Sequence, residues 1–244
     1  MELQFLGSGD AFGSGGRFNT CLCISAVRGA FLVDCGASSL IAMRKFGVDP
    51  NTIRVILITH LHGDHFGGLP FFILDAQLVS RRQAPLTIAG PAGLRDRLAS
   101  AMENFFPGST GVERRFAIDV RELEPGTAHD VEGITVTPHV VKHACGAPPF
   151  ALRIAVDGKV LCYSGDTEWV ESLREAAESA DLFIAEAYFF EKPVKFHLDY
   201  ATLARHLSTL GAKRVILTHM SADMLARIAE TTCDVAHDGM IVAL

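Results

Sequence analysis

The stretch Thr59-His60-Leu61-His62-Gly63-Asp64-His65 places four side chains able to bind a metal ion within six residues. Before it runs Arg54-Val55-Ile56-Leu57-Ile58, β-branched and apolar, which reads as a buried strand. After it come Phe66-Gly67-Gly68 and an apolar run with helical character. The ligand-type side chains therefore fall on a tight loop at the C-terminal end of a strand, where sites gather in α/β folds. Gly63 lets the backbone turn, so imidazoles and a carboxylate can point at two neighbouring positions in space. Three histidines and an aspartate at this spacing point to a metal site rather than to an ordinary polar loop.

The 244 residues are enough to bury a sizeable core, and one domain over 1–244 is the natural reading. Apolar residues at 49% and charged residues at 20% exclude a disordered chain. The net charge of −6 argues against a protein whose main task is gripping a nucleic-acid backbone. A small phosphate substrate stays compatible, because bound dications would reverse the local field. The N-terminus lacks the basic and apolar regions of a signal peptide, and no apolar run reaches membrane-spanning length, so a cytoplasmic protein is expected. The six cysteines lie mostly in apolar segments and read as reduced thiols, with Cys145 notable for its closeness to His143.

Strands are expected over 2–6, 19–26, 30–34, 85–90, 134–143, 150–156, 159–163, 181–186, 214–217 and 240–243, besides the one before Thr59. Helices are expected over 39–46, 68–80, 92–104, 169–179, 200–210 and 222–230, with Ser38 or Ser39 capping the first. Asp157-Gly158 is the strongest hairpin signal, and 105–133 looks irregular. The glycine-rich run Gly7 to Gly16 matches neither a P-loop nor a dinucleotide fingerprint, and it reads as a loop on the rim of a site or as a phosphate-binding loop. The pattern fits an α/β protein of two mixed sheets packed face to face with helices outside. Polar residues close several strands, namely Asp34, His60, His143, Asp166, Glu186 and His219, and such strand ends can converge on one rim.

The segment THLHGDH resembles the HxHxDH motif of the metallo-β-lactamase superfamily. Asp34 in FLVDCG, His143 in VVKHACGAPPFALRI, Asp166 in YSGDT and His219 in VILTHMS are similar to that family's further elements and follow in the same order. The resemblance runs from Phe5 to the end of the chain and implies a four-layer αββα sandwich. It also implies two divalent ions, zinc first, with manganese or iron also suited to imidazole and carboxylate donors. One ion would be held by His60, His62 and His143, the other by Asp64, His65 and His219, with Asp166 bridging. Asp64 would also orient or deprotonate the attacking water, and Thr59, Thr218 and Asp34 would orient ligands. His139, four residues before His143 on the same expected strand, is the rival ligand; His143 is favoured because it lies at the strand end. His129, His206 and His237 have no ligand-like context, and Asp238 is a candidate support for the site rim.

Finer features resemble the ribonuclease Z-like phosphodiesterase branch: the N-terminal FLGSGDAFGSGGRFNT, Glu186 at a strand end, and His197 before an amphipathic helix. That branch implies that Glu186 and His197 assist at the phosphate and leaving group, with Tyr188 and Phe189 lining the pocket. Ribonuclease Z itself carries a long basic arm between the ligand matching His143 and the bridging aspartate, and here only a hairpin separates them. The chain therefore looks more like the small phosphodiesterases of the branch, including those acting on cyclic nucleotides. The expectation is a phosphodiesterase on small phosphodiesters, with no nucleic-acid or membrane partner and with the homodimer common in the branch. The alternatives are a ribonuclease Z-like RNA 3′-end endonuclease, a lactone or thioester hydrolase of the same fold, and a non-catalytic binding module.

Overall fold

Successive side chains of a strand point to opposite faces, so a strand buried on both sides reads as an unbroken apolar run. The computed structural model, which describes residues 1–244, is built from such runs. In chain order the first strands are β1 (Glu2–Gly7), β2 (Cys21–Ala26), β3 (Gly29–Val33), β4 (Ile53–Leu57), β5 (Leu86–Gly90), β6 (Ile118–Glu122) and β7 (His129–Val131). They are followed by β8 (Ile134–Val140), β9 (Phe150–Val156), β10 (Lys159–Tyr163), β11 (Leu182–Glu186), β12 (Val215–Thr218), β13 (Asp234–Val235) and β14 (Ile241–Ala243). The helices are α1 (Ser39–Lys45), α2 (Gly63–Phe66), α3 (Leu69–Leu78), α4 (Leu94–Phe105), α5 (Ser172–Ala177), α6 (Tyr200–His206) and α7 (Ala222–Leu225).

One seven-stranded sheet has the order β14-β1-β2-β3-β4-β5-β6 and the other β13-β12-β11-β10-β9-β8-β7. Alternate residues assign the strands to layers. Leu3, Phe5, Leu22, Ile24, Phe31, Val33, Val55 and Leu57 meet Leu152, Ile154, Leu161, Tyr163 and Ile184 between the sheets. Their neighbours Leu6, Cys21, Cys23, Leu32 and Ile56 face outward onto Met43, Phe72, Leu98 and Met102 of α1, α3 and α4. Phe183, Ala185 and Leu217 face Leu173, Ala176, Leu203 and Met224 of α5, α6 and α7. The result is the αββα sandwich.

The structure departs from the sequence reading in places. Residues 105–133 contain β6 and β7, whose exposed, charged residues hid their strand character. β8 stops at Val140, so His143 lies in the loop beyond it. Ser38 stands at the N-cap position of α1, but its side chain makes no cap bond; its hydroxyl accepts the Asn19 N–H at 2.7 Å. All six cysteines are free thiols. No helix is long and apolar enough to cross a membrane.

Strands β3, β4, β5 and β6 run parallel to one another, as do β10, β11, β12 and β13. Parallel register brings carboxyl ends level, and both sets deliver those ends to one rim of the sandwich. Val33 pairs with Leu57, which sets Asp34 beside Thr59, and Glu186 pairs with Thr218, which sets it beside His219.

Candidate metal centre

His60 and His62 lie in the extended segment after β4, whereas Asp64 and His65 lie on α2, a single helical turn rather than a loop. That turn is made by the His65 and Phe66 amides bonding the His62 carbonyl at 3.1 and 2.9 Å. Gly36 lets the chain after β3 press against it, since a Cβ there would stand 2.1 Å from the Asp64 carbonyl oxygen. His60, His65, Asp166 and His219 are buried almost completely.

Three groups of donor atoms have their members within 4.8 Å of one another; two match the expected ligand sets, His60, His62 and His143, then Asp64, His65, Asp166 and His219, and the third joins Asp166 and His219 to Glu186 and His197. Asp166 lies between the first two. Its Oδ1 is 3.2 Å from His65 Nε2, and its Oδ2 is 3.2 Å from His219 Nε2 and 3.9 Å from both His60 Nε2 and His143 Nε2. The Asp64 Oδ2 is 3.3 Å from His65 Nε2 and 3.8 Å from His219 Nε2. His139 joins none of these groups. It lies on the outward face of β8, where Glu175 of α5 and Arg153 act on its charge, and burial lowers its pKa.

Whether these residues suit metal ions can be tested on the polar atoms they leave without partners. His60 Nε2, His65 Nε2 and Asp166 Oδ1 are buried with no hydrogen-bond partner. Buried polar atoms are rarely left so, and orphans converging on a common centre are what a cation would satisfy. The opposite edges of the rings are already engaged. Asp34 Oδ2 accepts from His65 Nδ1 at 2.6 Å, and the Phe196 carbonyl accepts from His143 Nδ1 at 2.8 Å. Thr59 Oγ1 is 3.1 Å from His60 Nδ1, and Thr20 Oγ1 is 3.3 Å from His219 Nδ1. Such outer partners fix the tautomer and aim the free nitrogen inward. An all-nitrogen-and-oxygen donor set with no thiolate suits zinc, manganese or iron.

The charges are arranged for cations. Burial pushes the His60 imidazole well below its ordinary value, which keeps its nitrogen available. Burial also opposes charge on His65, yet Asp166, Asp64 and Asp34 hold that imidazole well above its ordinary value. Three carboxylates around one histidine form a negative pocket that dications would neutralise.

Beside the centre, His197 Nδ1 bonds Glu186 Oε1 and lies 3.9 Å from Asp166 Oδ2. Glu186 Oε2 accepts the Thr167 and Leu198 amides at 2.9 and 3.2 Å. Burial, with Asp166 adding to it, raises the Glu186 carboxyl, and burial lowers the His197 imidazole. Tyr188 stacks on the His197 ring at 4.7 Å between centroids. Thr218 reaches away from the ligands, its hydroxyl donating to the Ser8 carbonyl at 3.3 Å. Asp238 anchors the glycine-rich rim, accepting from the Ser8 amide at 2.9 Å, the Ser8 hydroxyl at 2.8 Å and the Phe18 amide at 2.8 Å. His129 bonds Glu124, His206 stacks on Trp169, and His237 bonds its neighbour's carbonyl, all apart from the centre.

Sequence reasoning missed Thr20, the Phe196 carbonyl and Asp10. The buried Asp10 carboxylate holds the glycine-rich loop through the Ser14 amide at 2.9 Å and the Phe12 amide at 3.2 Å. Asp10 could have been suspected as an acid among glycines; a backbone carbonyl leaves no signal. A cavity of about 510 Å³ opens at Asp64 between Ala11, Asn19, Ala37, Phe71 and Phe105, large enough for a small organic ligand.

Residues 1–238 match the family model described as Anti-Pycsar protein Apyc1. A ribonuclease Z from Bacillus licheniformis is 27% identical over 280 residues of alignment, covering 91% of this chain and 89% of that protein. That alignment is longer than the 244-residue chain, so the relative carries segments absent here. The crystal structure of human tRNase Z, short form, superposes with a TM-score of 0.82 at 27% identity, covering 100% of this chain and 99% of that one. The metallo-β-lactamase fold protein YhfI from Bacillus subtilis superposes with a TM-score of 0.80 at 20% identity, covering 99% and 98%. The chain is therefore a metallo-β-lactamase-fold, metal-dependent hydrolase and belongs to the family described as Anti-Pycsar protein Apyc1.

Proposed function

We propose that the protein is a dinuclear-metal phosphodiesterase acting on small phosphodiesters such as cyclic nucleotides. The observation that carries this reading is the convergence of six donor residues about Asp166 with the Glu186–His197 pair at their edge. His60, His62 and His143 would hold one divalent ion and Asp64, His65 and His219 the other, with Asp166 between. Such ions supply an acidified water and neutralise charge on phosphoryl oxygens. Asp64, which lines the cavity, would help hold an ion and orient the attacking water. Glu186 holds His197 in one orientation through Nδ1, and in its protonated form His197 would donate to a departing alkoxide.

A second reading, cleavage at RNA 3′ ends, is favoured by the relatives, which carry the name ribonuclease Z. By name they support RNA more strongly than a small diester. The small-diester reading draws on the short span between His143 and Asp166, the length of chain lacking relative to the ribonuclease Z sequences, and the net charge of −6.

The deciding experiment compares cyclic nucleotides, bis-p-nitrophenyl phosphate and 3′-extended precursor tRNA as substrates of the zinc-loaded protein. The expected result is turnover of the small diesters that chelation and Asp64→Ala abolish, with no tRNA cleavage. His197→Ala should cost about 10²–10⁴-fold in kcat with an alkoxide leaving group and far less with p-nitrophenolate, which needs no proton. Cleavage of tRNA with inert cyclic nucleotides would establish the second reading. Metal-loaded protein that opens lactones or thioesters and leaves every phosphodiester intact would overturn both.

A further inference from the structure

Phe196 is the residue before His197, and its backbone is in the left-handed region at φ 72°. A bulky side chain rarely adopts that conformation, so other groups must hold it there. Both of its peptide groups are held. Its carbonyl accepts from His143 Nδ1 at 2.8 Å, and its amide donates to Glu168 Oε1 at 2.9 Å. Glu168 has a second commitment, since its Oε2 accepts from the Lys142 ammonium at 2.8 Å. Its own amide donates to the Lys142 carbonyl at 3.1 Å, and the Lys142 amide donates to Thr167 Oγ1 at 3.0 Å.

Glu168 therefore stands where three segments meet. It is two residues beyond Asp166, it grips the residue before His143, and it grips the residue before His197. None of these segments is a strand or helix at that point, and none has a regular ladder to set its position. We propose that Glu168 is a positioning residue that staples the loops carrying Asp166, His143 and His197, and through the Phe196 peptide sets the aim of the His143 imidazole. The Phe196 amide bond carries the effect. The Lys142 ion pair, with its ammonium in solvent, adds little, as exposed pairs do. The proposal rests on the metal-centre reading but not on the identity of the substrate.

The test measures metal affinity by chelator competition, without substrate, in Glu168→Leu, Glu168→Gln and Lys142→Met. Loss of a partner that orients a metal ligand typically costs 10- to 100-fold in affinity. Glu168→Leu should weaken the site held by His60, His62 and His143 by about that factor, and the site held by Asp64, His65 and His219, which shares Asp166, by less. Glu168→Gln keeps an acceptor for the Phe196 amide and should restore most of the affinity. Lys142→Met should sit near wild type. Amide hydrogen exchange at Phe196 should quicken in Glu168→Leu and not in Glu168→Gln. Two sites of unchanged affinity in Glu168→Leu, or an equal loss in the Leu and Gln variants, would overturn the proposal. If Glu168→Leu does not fold, a Glu168→Gln protein with a weakened site would overturn it, and wild-type affinity together with an unchanged Phe196 exchange rate would support it. Failure of every phosphodiester substrate would leave these affinities intact and would count only against the activity proposed above.

Discussion

Asp34 is buried, adopts the left-handed region at φ 60°, and accepts from His65 Nδ1 and from the Thr59 amide, the latter at 2.8 Å. Burial pushes its carboxyl above the ordinary range despite these donors. The residue thus does two things: it tolerates an unusual backbone and presents a charged oxygen to a metal ligand. Asp34→Asn separates them, because asparagine also accepts the left-handed region but offers a neutral acceptor. Metal affinity by chelator competition is expected to fall about 10- to 100-fold, with little change in unfolding of the metal-free protein. At this scale the candidate ligands were legible in the sequence because imidazoles and carboxylates are few and their spacing is distinctive. Of their partners, Asp34 and Thr59 were legible and two others were not. Thr20 lies 199 positions from His219, and the Phe196 carbonyl belongs to a group that every residue carries.

The hairpin of β9 and β10 shows how an element can be tested apart from the site. Asp157 and Gly158 both have positive φ, at 50° and 73°, as a tight two-residue turn demands. A Cβ at Gly158 meets no atom within 4 Å, so Gly158→Ala is charged only the backbone cost. That cost should be about 1 kcal/mol, or a Tm lower by about 2–4 °C, by calorimetry of the metal-free protein. Metal content should not change, since the turn is at the opposite end of β10 from Asp166. Elements of this kind, buried strands with a strong turn between them, were readable because apolar periodicity and turn chemistry are local. β6, β7 and the two-residue β13 were not, because neighbouring strands supply what their own sequences lack. α2 was hidden for the same reason: four residues beginning with glycine have no helical preference of their own.

For the whole molecule, the centre gathers Asp34, Asp64, Asp166 and Glu186 out of solvent around a few imidazoles. Cations that bind only the folded chain stabilise it by about 4 kcal/mol at a thousandfold excess over Kd. Tm should therefore rise with added zinc in a concentration-dependent way and fall on chelation, as thermal scans across a zinc series would record. A Tm independent of zinc would refute a metal centre at these residues. The sequence by itself determined the αββα architecture and the candidate donors, because burial periodicity and donor chemistry are written residue by residue. Tertiary structure gave the physical reason to prefer His143, already favoured over His139, since one lies in a loop reaching the donor group and the other on the outward face of β8. It alone tied Glu168 to Phe196. Those relations depend on where parallel strands from two sheets end in space, and spacing along one chain does not encode the distance between loops brought together by different strands.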